Sequence, residues 1–324
     1  MAQDTQPAPH LMQCMEVWGG NQGVDSGIVM AGLDAWVFSR PFGGATEGGD
    51  VYYVSSCATG RITRLLVADV TGHGAAARNV ASDLRYLMRR FVNYIDQTHF
   101  VREMNGKFVE MSQNGGFATA IVTTFFAPTN RLSLCNAGHP PPLHYQATKR
   151  RWTYLESESR DDPLPTNLPL GILDLSAYDQ FEVKLKVGDL VLCYTDSLVE
   201  SYDAEGIMLG QAGLLRLINE VLHDESATVI PKLLDRVAAI NEKNLRQDDV
   251  TALLFRPNGL ARTTPLKERL LAPFRIIKAV LGSIGRKKKP APWPEMSLAN
   301  VGGAVLTPLS QAGERGKMKN PKSE

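Results

Sequence analysis

Strand-like runs in this chain come in groups, and helical patterns come in pairs between the groups. Residues 51–58 and 61–70 are β-rich and are split only by the turn Thr59-Gly60. The second run contains Leu65-Leu66-Val67-Ala68, a short apolar stretch typical of a buried strand. Residues 75–97 then place Leu84, Leu87, Met88, Phe91, Tyr94 and Ile95 at three- and four-residue spacing, which predicts a long helix. A second helix is predicted over 101–111, ending at the breaker Asn114-Gly115-Gly116. Further strands are predicted at 117–126, 131–136, 142–145, 181–185, 190–194 and 250–255, with a second pair of helices at 213–222 and 227–241. This grouping favours an α+β layered domain with mostly antiparallel sheets over a regular βαβ array.

With 324 residues the chain has room for one large domain or two small ones. Its 44% apolar and 21% charged content is that of an ordinary globular protein. It has no run of about 18 apolar residues. Residues 1–10 lack a basic-then-apolar leader, so neither a spanning helix nor export is expected. Cys14, Cys57, Cys135 and Cys193 form no C-x-x-C pair, and their spacing suits neither a zinc site nor a disulfide framework. Cys57, Cys135 and Cys193 sit in apolar runs and are expected to be buried thiols in a reducing cytosol.

Charge divides the chain more sharply than hydropathy does. Of 35 Lys/Arg and 34 Asp/Glu, residues 256–324 hold 14 and 4, which leaves 21 and 30 in residues 1–255. The body is acidic and the tail basic, so the body does not offer the basic surface of a nucleic-acid binder. Over 266–284 the tail places Leu266, Leu270, Phe274, Ile277, Leu281 and Ile284 on one helical stripe, among Lys267, Arg269, Arg275 and Lys278. Pro273 would kink or shorten such a helix. Three readings of the tail stay open: an amphipathic helix on anionic lipid, a helix docked on the acidic body, or a solvated disordered tail.

Chemistry is concentrated in aspartates delivered at strand ends beside sharp turns. Asp50 follows Gly48-Gly49, and Asp69 follows Ala68 and precedes Val70-Thr71-Gly72-His73-Gly74. Asp196 follows the run 190–194, while Asp248 and Asp249 precede the last strand. Hard divalent cations take oxygen ligands of this kind, and two of them can neutralise a phosphoryl group during in-line displacement. Taken singly, each aspartate is better explained as a turn or cap residue.

The strings Gly48-Gly49-Asp50-Val51-Tyr52-Tyr53 and Ala68-Asp69-Val70-Thr71-Gly72-His73-Gly74 resemble the metal-dependent PPM (type 2C) protein Ser/Thr phosphatases, closest to their bacterial SpoIIE-type branch. Phe117-Ala118-Thr119-Ala120, Asn136-Ala137-Gly138-His139-Pro140-Pro141, Tyr194-Thr195-Asp196-Ser197-Leu198-Val199-Glu200 and Asp248-Asp249-Val250-Thr251 follow in the family's order. The resemblance implies a four-layer α-β-β-α sandwich of two mainly antiparallel sheets flanked by helices, with two Mn²⁺ or Mg²⁺ ions at one edge. It implies Asp69 as the bridging ligand that activates water, with metal ligands Asp50, the Val70 carbonyl, Asp196 and Asp248, and Asp249 as a lesser one. Many relatives carry a second acid after the paired tyrosines, where this chain has Val54. Ser197 stands where Gly is common.

Arg40 is a candidate for binding substrate phosphate, against the reading of a solvated surface Arg. His73 is a candidate general acid, with a loop-fixing hydrogen bond as the simpler reading; His139 is expected to be structural or at the site rim. The expected organisation is an N-terminal segment 1–31, a phosphatase domain 32–256 and a basic tail 257–324. The expected function is hydrolysis of phosphoserine or phosphothreonine on a phosphorylated regulatory protein, such as an anti-sigma factor antagonist in bacterial partner switching. The alternative is a catalytically silent, phosphatase-like binding module. The expected location is cytoplasmic, with weak contact to the inner membrane face as one of the open readings of the tail, and no nucleic-acid partner is expected. No sensor domain is expected ahead of the body, so control is expected from a partner, the N-terminal segment or the tail.

Overall fold

The computed structural model describes residues 9–57, 59–71, 75–91, 97–111, 116–156, 166–174, 176–221 and 225–260, with residues 271 and 274. Two sheets form its centre. The first contains β1 (His10–Leu11), β3 (Val24–Met30), β4 (Leu33–Arg40), β9 (Leu143–Gln146), β10 (Arg151–Tyr154), β12 (Leu190–Tyr194) and β13 (Val250–Pro257), in the order β1-β3-β4-β13-β12-β9-β10. The second contains β2 (Val17–Gln22), β5 (Glu47–Ser56), β6 (Ile62–Val70), β7 (Ala118–Phe126), β8 (Arg131–Ala137) and β11 (Gln180–Lys184), in the order β11-β8-β7-β6-β5-β2. Among the described strands only β1 and β3 pair in parallel.

The apolar runs are continuous because each central strand is covered on both faces. Alternate residues of β5 and β6 point to opposite sides. Tyr52, Val54, Leu65 and Val67 pack between the sheets against Val37, Val191, Leu253 and Phe255. Val51, Tyr53, Leu66 and Ala68 face α1 (Ala75–Arg90) and α2 (Gln97–Met111) through Leu84, Leu87, Met88, Phe100 and Met104. On the far side, Leu192, Tyr194, Ala252 and Leu254 of the first sheet pack against α3 (Gly210–Glu220) and α4 (Val229–Ile240). The result is the expected α-β-β-α sandwich.

Arg64 lies fully buried on the helix-facing side of β6. Its guanidinium donates to the Phe91 carbonyl (2.8 Å) and to Thr124 Oγ1 (3.2 Å), and stacks 4.6 Å from the centre of the Phe100 ring. One side chain thus joins the end of α1 and the start of α2 to two adjacent strands.

The residues before the expected boundary at 31/32 are part of the same body. β2 pairs with β5 in the second sheet and β3 pairs with β4 in the first, so residues 17–30 contribute to both, and the boundary falls on the β3–β4 turn. At the other end, Asn258 donates from its backbone N–H to the Gly32 carbonyl and from its side chain to the Met30 carbonyl and Asp34 Oδ1. Residue 257, the expected start of the tail, is still paired with Leu33. The helix expected over 266–284 lies outside the described residues except at 271 and 274. Cys57, Cys135 and Cys193 are buried, and Cys14 is exposed. Among the described residues no helix is long and apolar enough to cross a membrane.

Candidate metal centre

The site is built where the ends of both sheets meet. β5 and β6 pair in register so that Asp50 lies directly opposite Asp69, and β6 and β7 pair so that Asp69 lies directly opposite Thr119. Side chains directly opposite one another in an antiparallel pair share a face at about 5 Å. From the first sheet, β12 ends at Tyr194 and hands the chain through Thr195 to a 3₁₀ turn, Asp196–Leu198, while Asp248 and Asp249 immediately precede β13. All five predicted aspartates therefore come to one end of the sandwich, with Val70 closing β6 one residue beyond Asp69.

Hydrogen bonds tie the two halves together. Thr195 Oγ1 donates to Asp50 Oδ2 across the sheets (2.8 Å), and the Thr251 backbone N–H donates to Thr195 Oγ1 (3.1 Å). Asp249 acts as an acceptor for three backbone N–H groups: Phe42 at 2.6 Å, Gly49 at 2.5 Å and Asp50 at 3.3 Å. It fixes the loop before β5 and the backbone of Asp50. This arrangement requires glycine at 48, since a Cβ there would stand 2.5 Å from Asp249 Oδ2. Gly48→Ala is expected to displace the Asp249 carboxylate and cost about 1–3 kcal/mol, read as a lower midpoint in urea denaturation. An unchanged midpoint would show that the carboxylate is not held there.

The electrostatics raise Asp50, Asp69 and Asp196. Burial first, then the charges of Asp196, Asp248, Asp249 and Glu200, push the Asp69 carboxyl up to about 7. Burial, Glu200 and Asp248 push Asp196 up to about 6. Asp50 is raised by burial and by Asp69, against the hydroxyls of Thr195 and Thr251, which lower it. The charged neighbours that act on Asp69 are all acidic, so ionising it adds to an uncompensated negative cluster. An oxygen-only donor set carrying several negative charges fits a hard divalent cation. Among the described residues no three His, Cys, Asp or Glu side chains converge at coordinating distance, so the carboxylates surround the site without closing on one point.

Arg40 closes β4 and pairs with Val250. Its guanidinium donates to the Leu245 carbonyl and lies 5.9 Å from the centre of the Phe38 ring, and the residue is exposed. His73 lies outside the described residues. Glu200 was assigned no role in the sequence, although it stands four residues after Asp196 and acts on both Asp69 and Asp196. Thr119, Thr195 and Thr251 also escaped notice, because a hydroxyl beside a strand end carries no signal until the register is known.

Two sheets between two helical layers, with carboxylates gathered at one end, define the PP2C type of phosphatase fold. A family model described as Stage II sporulation protein E (SpoIIE) matches residues 59–258, and the chain belongs to this family. Phosphoserine phosphatase RsbU of Bacillus subtilis (strain 168) is 25% identical over 197 residues, covering 59% of this chain and 55% of that protein. The chain thus spans about half the length of this curated relative. A structure of the RsbU and RsbW domains of a Mycobacterium tuberculosis protein aligns at a TM-score of 0.57 with 26% identity, covering 73% of this chain and 62% of that one. The PP2C phosphatase domain of Bacillus subtilis SpoIIE, solved with a fragment of its regulatory domain, shares the fold at a TM-score of 0.59 and 14% identity, over 74% and 71% of the two chains.

Proposed function

We propose that this chain is a metal-dependent protein serine/threonine phosphatase acting on phosphoserine or phosphothreonine of a regulatory protein, in the manner of bacterial partner switching. The observation that carries the reading is that Asp50, Asp69, Asp196, Asp248 and Asp249 are brought from four strand ends to one end of the sandwich, with two of the carboxyls pushed up to about 7 and about 6. Two Mn²⁺ or Mg²⁺ ions would suit this oxygen-rich donor set, and Asp50, Asp69, the Val70 carbonyl, Asp196 and Asp248 would hold them. When bound, such ions neutralise phosphoryl charge and lower the pKa of water.

The chain's own groups do the rest. Thr195 donates to one oxygen of Asp50 and fixes its orientation. Asp249, already accepting three N–H groups, acts mainly by holding the Asp50 backbone, which fits its lesser standing as a ligand. Asp69, raised by burial and then by four acidic neighbours, is a carboxylate whose ionised form gains from a nearby cation. The naming of RsbU as a phosphoserine phosphatase supports the reaction class. A phosphorylated anti-sigma factor antagonist is the substrate that this kinship favours.

The test is hydrolysis of phosphoserine peptides with Mn²⁺ or Mg²⁺, repeated after EDTA. Turnover is expected only with the divalent ion and should return when the ion is restored. Equal turnover in EDTA, or none under any ion while the protein is folded, would reject the reading.

A further inference from the structure

His139 is buried at the same end of the sandwich, yet the proposed reaction gives it no task. The turn that presents it is unusually constrained. Asn136 holds the His139 backbone from both sides, its Oδ1 accepting the N–H (2.7 Å) and its Nδ2 donating to the carbonyl (2.8 Å). Gly138 has a φ of +68°, and a Cβ there would stand 2.5 Å from Pro169 Cγ, so only glycine fits the turn. Burial holds the imidazole down to about 4, so the ring is neutral near pH 7 and one of its nitrogens can donate while the other accepts.

The ring reaches two strands. Its Nδ1 is hydrogen-bonded to Thr119 Oγ1 at 2.8 Å, and Thr119 lies directly opposite Asp69. The ring also stands against the backbone of Tyr194, although Nε2 completes no hydrogen bond of full geometry. Tyr194 leads directly into Thr195, which holds Asp50, and then into Asp196. Asp50, Asp69 and Thr119 form a row across β5, β6 and β7, and His139 follows at the next step, where Ala120 bridges Gly138. The row meets the first sheet at both ends, through Thr195 at one and the His139 ring at the other.

Resting on the metal-dependent reading above, we infer that His139 is a positioning residue: through Thr119 and the end of β12 it sets the spacing of Asp69 from Asp196, and so the affinity of the site for divalent cations. Its role is to hold ligands apart at a fixed distance, and it does not touch substrate. Groups that orient metal ligands from outside the coordination sphere commonly change affinity by about 10–100-fold when removed.

The test is Mn²⁺ binding by isothermal titration calorimetry on the full chain, alongside phosphopeptide turnover at saturating Mn²⁺. Thr119→Val keeps the shape of the side chain and removes its hydrogen bond to the ring. It is expected to weaken Mn²⁺ binding by about tenfold or more, with turnover at saturating ion reduced far less. Thr119→Ser should restore affinity to within about threefold of wild type. His139→Asn, checked for folding by near-UV circular dichroism, should behave as Thr119→Val does; if it does not fold, the threonine pair alone decides. Wild-type protein that binds Mn²⁺ with Thr119→Val binding equally well would overturn this inference and leave the phosphatase reading intact. Wild-type protein that neither binds Mn²⁺ nor hydrolyses would overturn both.

Discussion

Asp69→Asn is expected to remove metal-dependent hydrolysis by about 10³-fold or more while making the metal-free protein more stable at neutral pH. The two effects have one origin. Asp69 sits between Asp50, Asp196, Asp248, Asp249 and Glu200, and its carboxyl is raised from 3.8 to about 7. The folded chain therefore holds a proton there that the unfolded chain has released, and folding stability falls as pH climbs from about 4 to about 7. The penalty is complete above 7 and absent below about 4. At 1.36 kcal/mol per unit the shift corresponds to about 4 kcal/mol, reduced to about 2 once solvent screening at a half-buried group is allowed for.

Asparagine keeps the shape and cannot ionise. The metal-free variant should therefore melt about 5 °C higher at pH 7.5, and its melting temperature should vary less between pH 4 and 7. Divalent ion should raise the melting temperature of the wild type more than that of the variant. Differential scanning calorimetry across this range, with and without Mn²⁺, measures both. A variant that retains turnover, or one that melts lower than wild type at pH 7.5 without ion, would contradict the account.

Arg64→Ala is expected to lower stability by about 3–5 kcal/mol, close to 10 °C in melting temperature for a body of this size. The loss is large because the guanidinium is fully enclosed and does several jobs together: it satisfies the Phe91 carbonyl, meets Thr124, and stacks on Phe100. Truncation leaves a buried carbonyl without this donor and a void beneath α2. Arg64→Met, which refills most of the volume, should recover part of the loss. Urea denaturation of the three proteins separates the two contributions, and a loss below about 1 kcal/mol for the alanine variant would mean that the helical layer is held by other contacts.

The sequence revealed some elements and hid others, for physical reasons. β5, β6 and β7 were legible because both faces are buried, which writes an unbroken apolar, β-branched run. β12 was read at its observed bounds for the same reason. β2 and β3 were not read as strands: their sequences, VWGGNQ and VDSGIVM, interrupt any alternation with glycines and polar residues, and they are held in place by pairing with β5 and β4. β10, RWTY, is short and follows two basic residues, yet it buries Trp152 completely. α2 begins at Gln97, four residues before its apolar pattern starts.

At the site, the five aspartates were visible as residue types, but their convergence was not. Asp50 and Asp248 are almost two hundred residues apart, and only the motif resemblance joined them before the strand register did. Arg40, the candidate for phosphate, is exposed at the end of β4 and gives one guanidinium N–H to the Leu245 carbonyl.

The direction of β13 has a consequence for the rest of the chain. The strand starts beside Asp248 and Asp249 and runs eight residues to Pro257, about 25 Å away at the ordinary rise of a strand. There Asn258 fastens it to the β3–β4 turn, and the basic tail departs. The aspartate cluster and the end of the last described strand thus lie at opposite poles of the sandwich. A contact made by residues 258–260 would therefore leave the aspartate pole of the sandwich uncovered.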